Sequence, residues 1–166
     1  TEQCAEFLRS KGFNALPFHA GLENERKIKT QDKFMTEDNV VVCATIAFGM
    51  GIDKANVRYI VHISLPSSME AFYQEIGRAG RDGLEADTLL IFGLQDLFQR
   101  KRFIDMSDAH DSFKIKEHKR LDALIAYCDS ATCRRQTLLS YFKETCEPCG
   151  KCDNCLNPPQ MIGGTE

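Results

Sequence analysis

Two arginines spaced three residues apart are the side chains in this sequence best suited to chemistry. Arg78 and Arg81 each follow a glycine within the segment 74–83. Glycine lets a ligand approach the backbone closely, and the guanidinium group binds phosphate oxygens in pairs without losing its charge. The pattern indicates a phosphate-binding segment that could stabilise charge during phosphoryl transfer. The competing hypothesis is a glycine-rich turn in which the arginines pair with Glu75 and Asp82.

A second group with clear chemistry is formed by cysteines. Cys146, Cys149, Cys152 and Cys155 recur at intervals of three residues, and Cys133 lies upstream. Structural zinc prefers four thiolates in a tetrahedron. Two ligand sets are open: the last three cysteines with Cys133, or the last three with Cys146. We prefer Cys133, because the start of a helix favours a thiolate and a long loop closure couples metal binding to folding.

Other interpretations of the cysteines are weaker. A secreted disulfide scaffold would spread the eight cysteines over a shorter chain. In the ferredoxin type of iron–sulfur motif, three residues separate the last two cysteines and a proline follows the last one. Here two residues separate Cys152 from Cys155, and Leu156 follows. Zinc is therefore the predicted metal.

The composition limits the classes of partner. The net charge of −3 excludes a polycation, so nucleic acid must be bound by local patches. Arg134, Arg135, Lys143 and Lys151 form one small basic patch, which either contacts a DNA backbone or is a solvated helix face. The longest apolar runs, such as residues 40–46, are too short for a membrane span, and no membrane partner is expected.

The elements that position these residues fall into two parts. Apolar runs at 14–19, 40–44, 59–63 and 86–92 predict strands, with helices at 2–11 and 23–35 and a helix that ends at the arginine segment. This alternation predicts an α/β domain with a mostly parallel sheet over residues 1–93. Residues 94–166 show helical patterns at 96–106, 115–128 and 133–143, with the cysteine segment after them.

Polar segments follow the predicted strands, where parallel sheets bind their ligands. His19 begins a His-Ala-Gly turn after the first strand, and Thr45 and Asp53 bound a glycine-containing loop after the second. The hydroxyl of Thr45 suits a nucleic-acid phosphate. The carboxylate of Asp53 suits either a ribose hydroxyl or the orientation of an arginine.

These motifs resemble those of a known family. The segments Thr-Ile-Ala-Phe-Gly-Met-Gly-Ile-Asp (45–53) and Gln-Glu-Ile-Gly-Arg-Ala-Gly-Arg (74–81), with the His-Ala-Gly turn, resemble the second motor domain of superfamily 2 helicases, and of the RecQ family in particular. The resemblance covers essentially the whole chain. It implies a RecA-like domain truncated at its N-terminus, followed by a helical zinc-binding subdomain.

The resemblance also implies roles for residues. Gln74, Arg78 and Arg81 would face ATP that is bound mainly by a first motor domain, with Arg81 as the arginine finger. Gly49, Gly51 and Asp53 would lie on the nucleotide side of their loop. Thr45 and His19 would contact DNA. The ligand set implied for zinc is Cys133, Cys149, Cys152 and Cys155.

The implied activity is ATP-dependent 3′ to 5′ unwinding of DNA, at single strands and duplex junctions, in a nuclear or cytoplasmic protein of recombination and repair. The sequence contains neither a Gly-x-x-x-x-Gly-Lys-Ser/Thr loop nor an Asp-Glu-x-His motif. We therefore expect the first motor domain, a partner of this chain, to bind ATP and Mg²⁺, and the chain alone to be inactive. The competing hypothesis is a non-catalytic module, from a degenerate helicase, that binds DNA or protein.

Overall fold

The computed structural model describes residues 1–48 and 52–159, and it divides the chain into two compact units. The first unit holds residues 1–57 with 81–84, and the second holds residues 58–80 with those from 85 onward. The helices are α1 (Glu2–Ser10), α2 (Asn24–Thr36), α3 (Met69–Ile76), α4 (Leu94–Asp105), α5 (Asp111–Asp129), α6 (Arg134–Tyr141) and α7 (Asp153–Leu156). The strands are β1 (Asn14–Phe18), β2 (Val40–Ala44), β3 (Tyr59–His62) and β4 (Asp87–Leu90), and Ile46–Phe48 form a short 3-10 helix.

The first unit is a parallel strand pair with helices packed against it. β1 and β2 run in register from Asn14 opposite Val40 to Phe18 opposite Ala44. The continuous apolar sequence of β2 suits a strand that is covered by helices. α1 is followed by Gly12, which adopts a φ of +89°, the left-handed conformation in which helices commonly end.

The second unit joins a parallel strand pair to a helical bundle. β3 and β4 pair from Tyr59 opposite Asp87 to His62 opposite Leu90. α3, α5 and α6 share one apolar core with the segment before α3, and its buried members are Leu65, Met69, Phe72, Leu121, Leu124, Tyr127 and Leu138. The helix that leads into the arginine segment is therefore packed against the helices of the cysteine region.

The predicted fold class is confirmed, since the described strands are parallel and helices lie between them in the chain. The compact units divide the chain at residues 57/58, 80/81 and 84/85, whereas the domain boundary at 93/94 stays a prediction. Among the helices of residues 1–48 and 52–159, none combines the length and the apolar character that crossing a membrane requires.

Candidate phosphate-binding and metal sites

The end of α3 presents two of the three residues assigned to phosphate chemistry. α3 begins at Ser68, whose side chain accepts a hydrogen bond of 3.2 Å from the amide of Ala71, and it ends at Gly77. Gln74 is exposed on its last turn. Arg78 follows directly, and its Nε atom is buried without a hydrogen-bond partner in the described part of the chain. A buried donor left unpaired costs about 1–3 kcal/mol, so Arg78 is suited to an incoming acceptor such as a phosphate oxygen.

The carboxylate of Glu75 interacts with a histidine side chain. Its Oε2 atom lies 2.6 Å from Nε2 of His62, and the two side chains are 29% and 12% exposed. The His62 ring packs edge-on against Phe72 at 5.3 Å between centroids. This contact joins the last turn of α3 to the end of β3. Glu75, which the hypothesis of a glycine-rich turn paired with an arginine, is therefore bound to His62 instead.

Arg81 belongs to the first unit, together with Asp53. Its Nη1 atom donates to Oδ1 of Asp53 at 2.5 Å, with side-chain exposures of 38% for Arg81 and 84% for Asp53. Of the two roles expected for Asp53, this geometry corresponds to the orientation of an arginine. Gly49 and Gly51, which the sequence assigns to the same loop, lie outside the described residues.

His19 and Thr45 follow neighbouring parallel strands, so they lie at the same edge of the first sheet. The amide of Thr45 donates to the carbonyl of Phe18 at 3.1 Å, and the residue is exposed, so its hydroxyl is accessible. Nε2 of His19 lies 3.3 Å from Oε1 of Glu2. A phosphate group at this edge has a donor in Thr45, but at His19 it must compete with a carboxylate.

The cysteine region brings four thiols together. The sulfurs of Cys133, Cys149, Cys152 and Cys155 all lie within 4.8 Å of one another. Cys133 is the residue before the first turn of α6, and Cys152 holds the same position before α7. Cys146 is not part of this group, and its carbonyl accepts a hydrogen bond of 2.9 Å from the side chain of Gln136.

The spacing of the sulfurs fits a tetrahedral metal centre. Zinc–sulfur bonds of about 2.3 Å place the sulfurs of a tetrahedron about 3.8 Å apart. The sulfurs of Cys149 and Cys155 are 4.0 Å apart, and those of Cys152 and Cys133 are 3.9 Å apart. Two of the sulfur pairs therefore already have nearly the spacing of a tetrahedral zinc centre.

Backbone hydrogen bonds support thiolates at this cluster. Burial raises the pKa of Cys133, but amides of Cys149 and Gln136 outweigh it and lower that pKa to about 6. At Cys152 burial is likewise opposed by amides, of which that of Arg134 has the larger effect, and the pKa is lowered. The neighbouring Cys152 sulfur, followed by burial, raises the pKa of Cys155 to about 12. Thiolates this close repel one another, and a bound dication would offset that repulsion.

Arg134 is the supporting residue that the sequence interpretation missed. Its guanidinium donates to both carboxylate oxygens of Asp153, at 2.9–3.1 Å, and to the carbonyls of Tyr127 and Cys128, at 2.8 and 2.9 Å. Its amide also donates to the sulfur of Cys152 at 3.4 Å. We name this set of contacts the Arg134 clamp. It joins the C-terminal end of α5 and the start of α6 to the cysteine turn, residues 146–155.

The clamp changes the interpretation of the basic patch. The guanidinium of Arg134 is engaged inside the fold, so it is not a free DNA contact. Asn154 is buried in α7 and donates to the carbonyls of Ser130 and Thr132, at 2.6 and 2.7 Å. The signals in the sequence were an arginine directly after Cys133 and an Asp-Asn pair between two cysteines.

Comparisons with known proteins match the two parts of the chain to two families. Residues 1–83 match the family described as helicase conserved C-terminal domain, and residues 94–156 match the family described as RecQ zinc-binding. The chain is 43% identical over 164 residues to "ATP-dependent DNA helicase RecQ" of Haemophilus influenzae, covering 98% of this chain and 26% of that protein. It is 43% identical over 163 residues to "RecQ-like DNA helicase BLM" of Xenopus laevis, covering 92% of this chain and 12% of that protein.

Among solved structures, the C-terminal domain of the DEAD-box protein Dbp5 is similar with a TM-score of 0.45 at 21% identity, covering 72% of this chain and 78% of that one. The chain thus spans about a quarter or less of the length of the two relatives named above. The match to a RecQ zinc-binding region and the four-cysteine cluster together support structural zinc.

Proposed function

The chain belongs to the RecQ family of helicases, and on that premise we propose that it forms the second motor domain and the zinc-binding region of an ATP-dependent DNA helicase. The observation that carries the proposal is Arg81, which is partly exposed, is held by Asp53 and lies three residues after Arg78 in a glycine-rich segment. A fixed, charged guanidinium at the surface suits the stabilisation of phosphoryl transfer on a neighbouring domain.

In this proposal the two arginines and Gln74 act on a nucleotide whose phosphates and Mg²⁺ are held mainly by a first motor domain. Arg81 is the arginine finger, and Arg78 contacts a phosphate oxygen through donors that include its buried, unpaired Nε atom. Asp53 orients Arg81, and the loop that contains Gly49 and Gly51 faces the nucleotide. Because the finger is supplied across a cleft, hydrolysis depends on closure of the two domains.

DNA is held through its backbone in the same proposal. The exposed hydroxyl of Thr45, at the edge shared with His19, contacts a phosphate of one strand. Such contacts position a strand but read no sequence, which suits a motor that moves along DNA. Opening and closing of the cleft then shifts the contact along the strand, in the 3′ to 5′ direction that the family resemblance implies.

Zinc in this proposal is structural and is bound by Cys133, Cys149, Cys152 and Cys155. The four side chains leave no ligand position for a reacting water, as expected for a closed structural site. The ion would supply positive charge that neutralises the thiolates and joins α6 to the cysteine turn. Cys146 remains outside the ligand set.

The test is DNA-stimulated ATP hydrolysis by a protein that joins this chain to a first motor domain. We expect Arg81→Ala to lower kcat by about 10³- to 10⁵-fold with ATP binding largely kept. Asp53→Ala should lower kcat less, because it only frees the finger to move. Arg102→Ala is the matched control, since Arg102 is exposed on α4 and has no side-chain hydrogen bond or ion pair within the described residues.

Equal kcat values for Arg81→Ala and Arg102→Ala would contradict the assignment of the finger. If the joined wild-type protein binds DNA but hydrolyses no ATP, the competing hypothesis of a non-catalytic binding module is the better one. The chain without a first motor domain is expected to hydrolyse no ATP in either case. DNA-dependent hydrolysis by the purified chain would contradict that expectation.

A further inference from the structure

The last turn of α3 is held to the neighbouring strand pair by one acidic residue. The carboxylate of Glu75 meets Nε2 of His62, at the end of β3, at 2.6 Å. The main-chain carbonyl of Glu75 also accepts a hydrogen bond of 3.2 Å from the amide of Arg78. Glu75 therefore connects His62, which it contacts through its side chain, to Arg78, which it contacts through its backbone.

The backbone between Glu75 and Arg78 is tightly wound. The amide of Gly77 donates to the carbonyl of Tyr73 at 3.0 Å. A β-carbon at Gly77 would lie only 3.1 Å from the carbonyl oxygen of Tyr73, so this turn has little room to shift. Helix ends fray readily, because their last groups lack partners within the helix. The side-chain contact of Glu75 opposes fraying in the turn that leads to Arg78.

His62 is fixed by its main chain and by its ring. Its carbonyl accepts a hydrogen bond of 2.8 Å from the amide of Ile91, which follows β4. Its ring packs edge-on against Phe72, a buried core residue of α3. Its Nδ1 atom is buried without a hydrogen-bond partner in the described part of the chain, so a proton there would lack an acceptor. The proton of the ring therefore belongs on Nε2, which donates it to Glu75.

We propose that His62 is a positioning residue for phosphate contact, which holds Arg78 in place through Glu75. This role rests on the proposed function, in which Arg78 contacts a phosphate oxygen of the nucleotide. The Nε atom of Arg78 is buried and unpaired within the described residues, so an oxygen can reach it from few directions. A misplacement of about 1 Å can lower a rate about 100-fold. Fraying of the turn therefore slows hydrolysis without removing any group that touches the nucleotide.

The experiment measures DNA-stimulated ATP hydrolysis by a protein that joins this chain to a first motor domain. Leucine at position 62 cannot donate to Glu75, whereas the amide of glutamine can. We expect His62→Leu to lower kcat about 10- to 100-fold with little change in the KM for ATP, and His62→Gln to recover most of the loss. His118→Leu is the matched control, because it removes a histidine contact of 2.8 Å to Asp105, away from α3, and should keep the kcat of the wild type.

A double-mutant cycle separates positioning from a general loss of folded protein. If His62 acts through Arg78, His62→Leu has no further effect on kcat once Arg78→Ala is present. A general loss of folded protein would instead lower kcat by the same factor in both backgrounds. Equal factors would therefore overturn the proposal, and so would a wild-type kcat in His62→Leu or an equal loss in His62→Leu and His62→Gln.

Hydrogen exchange on the chain itself tests the same contact without ATP. The amides of Gly77, Arg78 and Ala79 all donate to carbonyls of the last turn of α3. We expect His62→Leu to speed their exchange, whereas His62→Gln and His118→Leu should keep it close to that of the wild type. Unchanged protection of these amides in His62→Leu would overturn the proposal, whether or not the joined protein hydrolyses ATP.

Failure of this proposal and failure of the helicase proposal give different results. If Arg81→Ala lowers kcat but His62→Leu does not, the finger assignment stands and the positioning role of His62 is wrong. If the joined wild-type protein hydrolyses no ATP, the helicase proposal fails, and the exchange of the three amides decides by itself whether His62 holds Arg78.

Discussion

The Arg134 clamp predicts that a residue which does not bind the metal controls how tightly the metal is held. Arg134→Ala removes the donors to Asp153 and leaves the carbonyls of Tyr127 and Cys128, at the end of α5, without these partners. The carboxylate of Asp153 is 64% exposed, so the ion pair contributes about 0.5–1 kcal/mol after screening by solvent. Each lost hydrogen bond to a carbonyl adds about 1 kcal/mol.

The total loss is therefore about 2–3 kcal/mol in the folding of the cysteine region. Because folding and metal binding are coupled in such sites, part of this loss appears as weaker zinc binding. Residues that support metal ligands typically change affinity about 10- to 100-fold, which corresponds to about 1.4–2.8 kcal/mol. The loss estimated from the contacts of Arg134 therefore agrees with the loss of metal affinity that is typical for such residues. Zinc affinity is measured by competition with a chromophoric chelator at fixed pH.

Two variants make the measurement decisive. Arg134→Lys keeps the charge but lacks the planar fork, so we expect an intermediate affinity. Arg135→Ala changes the adjacent arginine, whose exposed side chain has no hydrogen bond or ion pair in the described part of the chain, and it should bind zinc as the wild type does. The reasoning is refuted if Arg134→Ala binds zinc within twofold of Arg135→Ala.

Three further perturbations test the second unit. Cys152→Ser should abolish zinc binding and remove hydrogen-exchange protection from residues 128–155 while β1 and β2 keep theirs; unchanged protection in 128–155 contradicts this. Leu124→Ala, at a fully buried core position, should lower the free energy of unfolding in urea by about 2–5 kcal/mol, and a loss below 1 kcal/mol would show that the core does not depend on it. Tyr141→Phe should cost about 1 kcal/mol through its 2.7 Å hydrogen bond to Glu70. Hydrogen bonds from Ser68 and then Tyr141, against burial, hold the pKa of Glu70 below its ordinary 4.5. The cost should therefore be present above pH 4.5 and vanish as the pH falls through the lowered pKa, and a pH-independent cost would contradict the argument.

The sequence predicted the elements well because their signals are local. The apolar run at 40–44 and the helical pattern at 2–11 are each decided by a few neighbouring residues, and the structure has a strand and a helix there. The cysteine set of the metal cluster was also predicted, because a helix start favours a thiolate at Cys133 and the family resemblance implies the same four cysteines. Cys133 lies thirteen residues before Cys146, yet the helix start places it beside the other three sulfurs.

The sequence did not predict the contacts between elements. Nothing near Arg134 in the sequence shows that its guanidinium reaches Asp153, nineteen residues away, rather than solvent. The same holds for His62 and Glu75, because a strand end and a helix end become neighbours only in the folded chain. Charged side chains have many local partners of similar energy, so only the packing selects among them.

That packing connects the two kinds of chemistry in the second unit. α3 carries Gln74 on its last turn and ends two residues before Arg78, and it contributes Met69 and Phe72 to the core shared with α5 and α6. The hydroxyl of Tyr141 on α6 donates to Glu70 on α3, and the ring of Phe142 packs against Tyr73 at 4.8 Å. Since the metal cluster holds the start of α6, its stabilisation extends through this core to the helix that positions Arg78. We therefore expect loss of the metal to reduce the rigidity of α3 as well as that of α6.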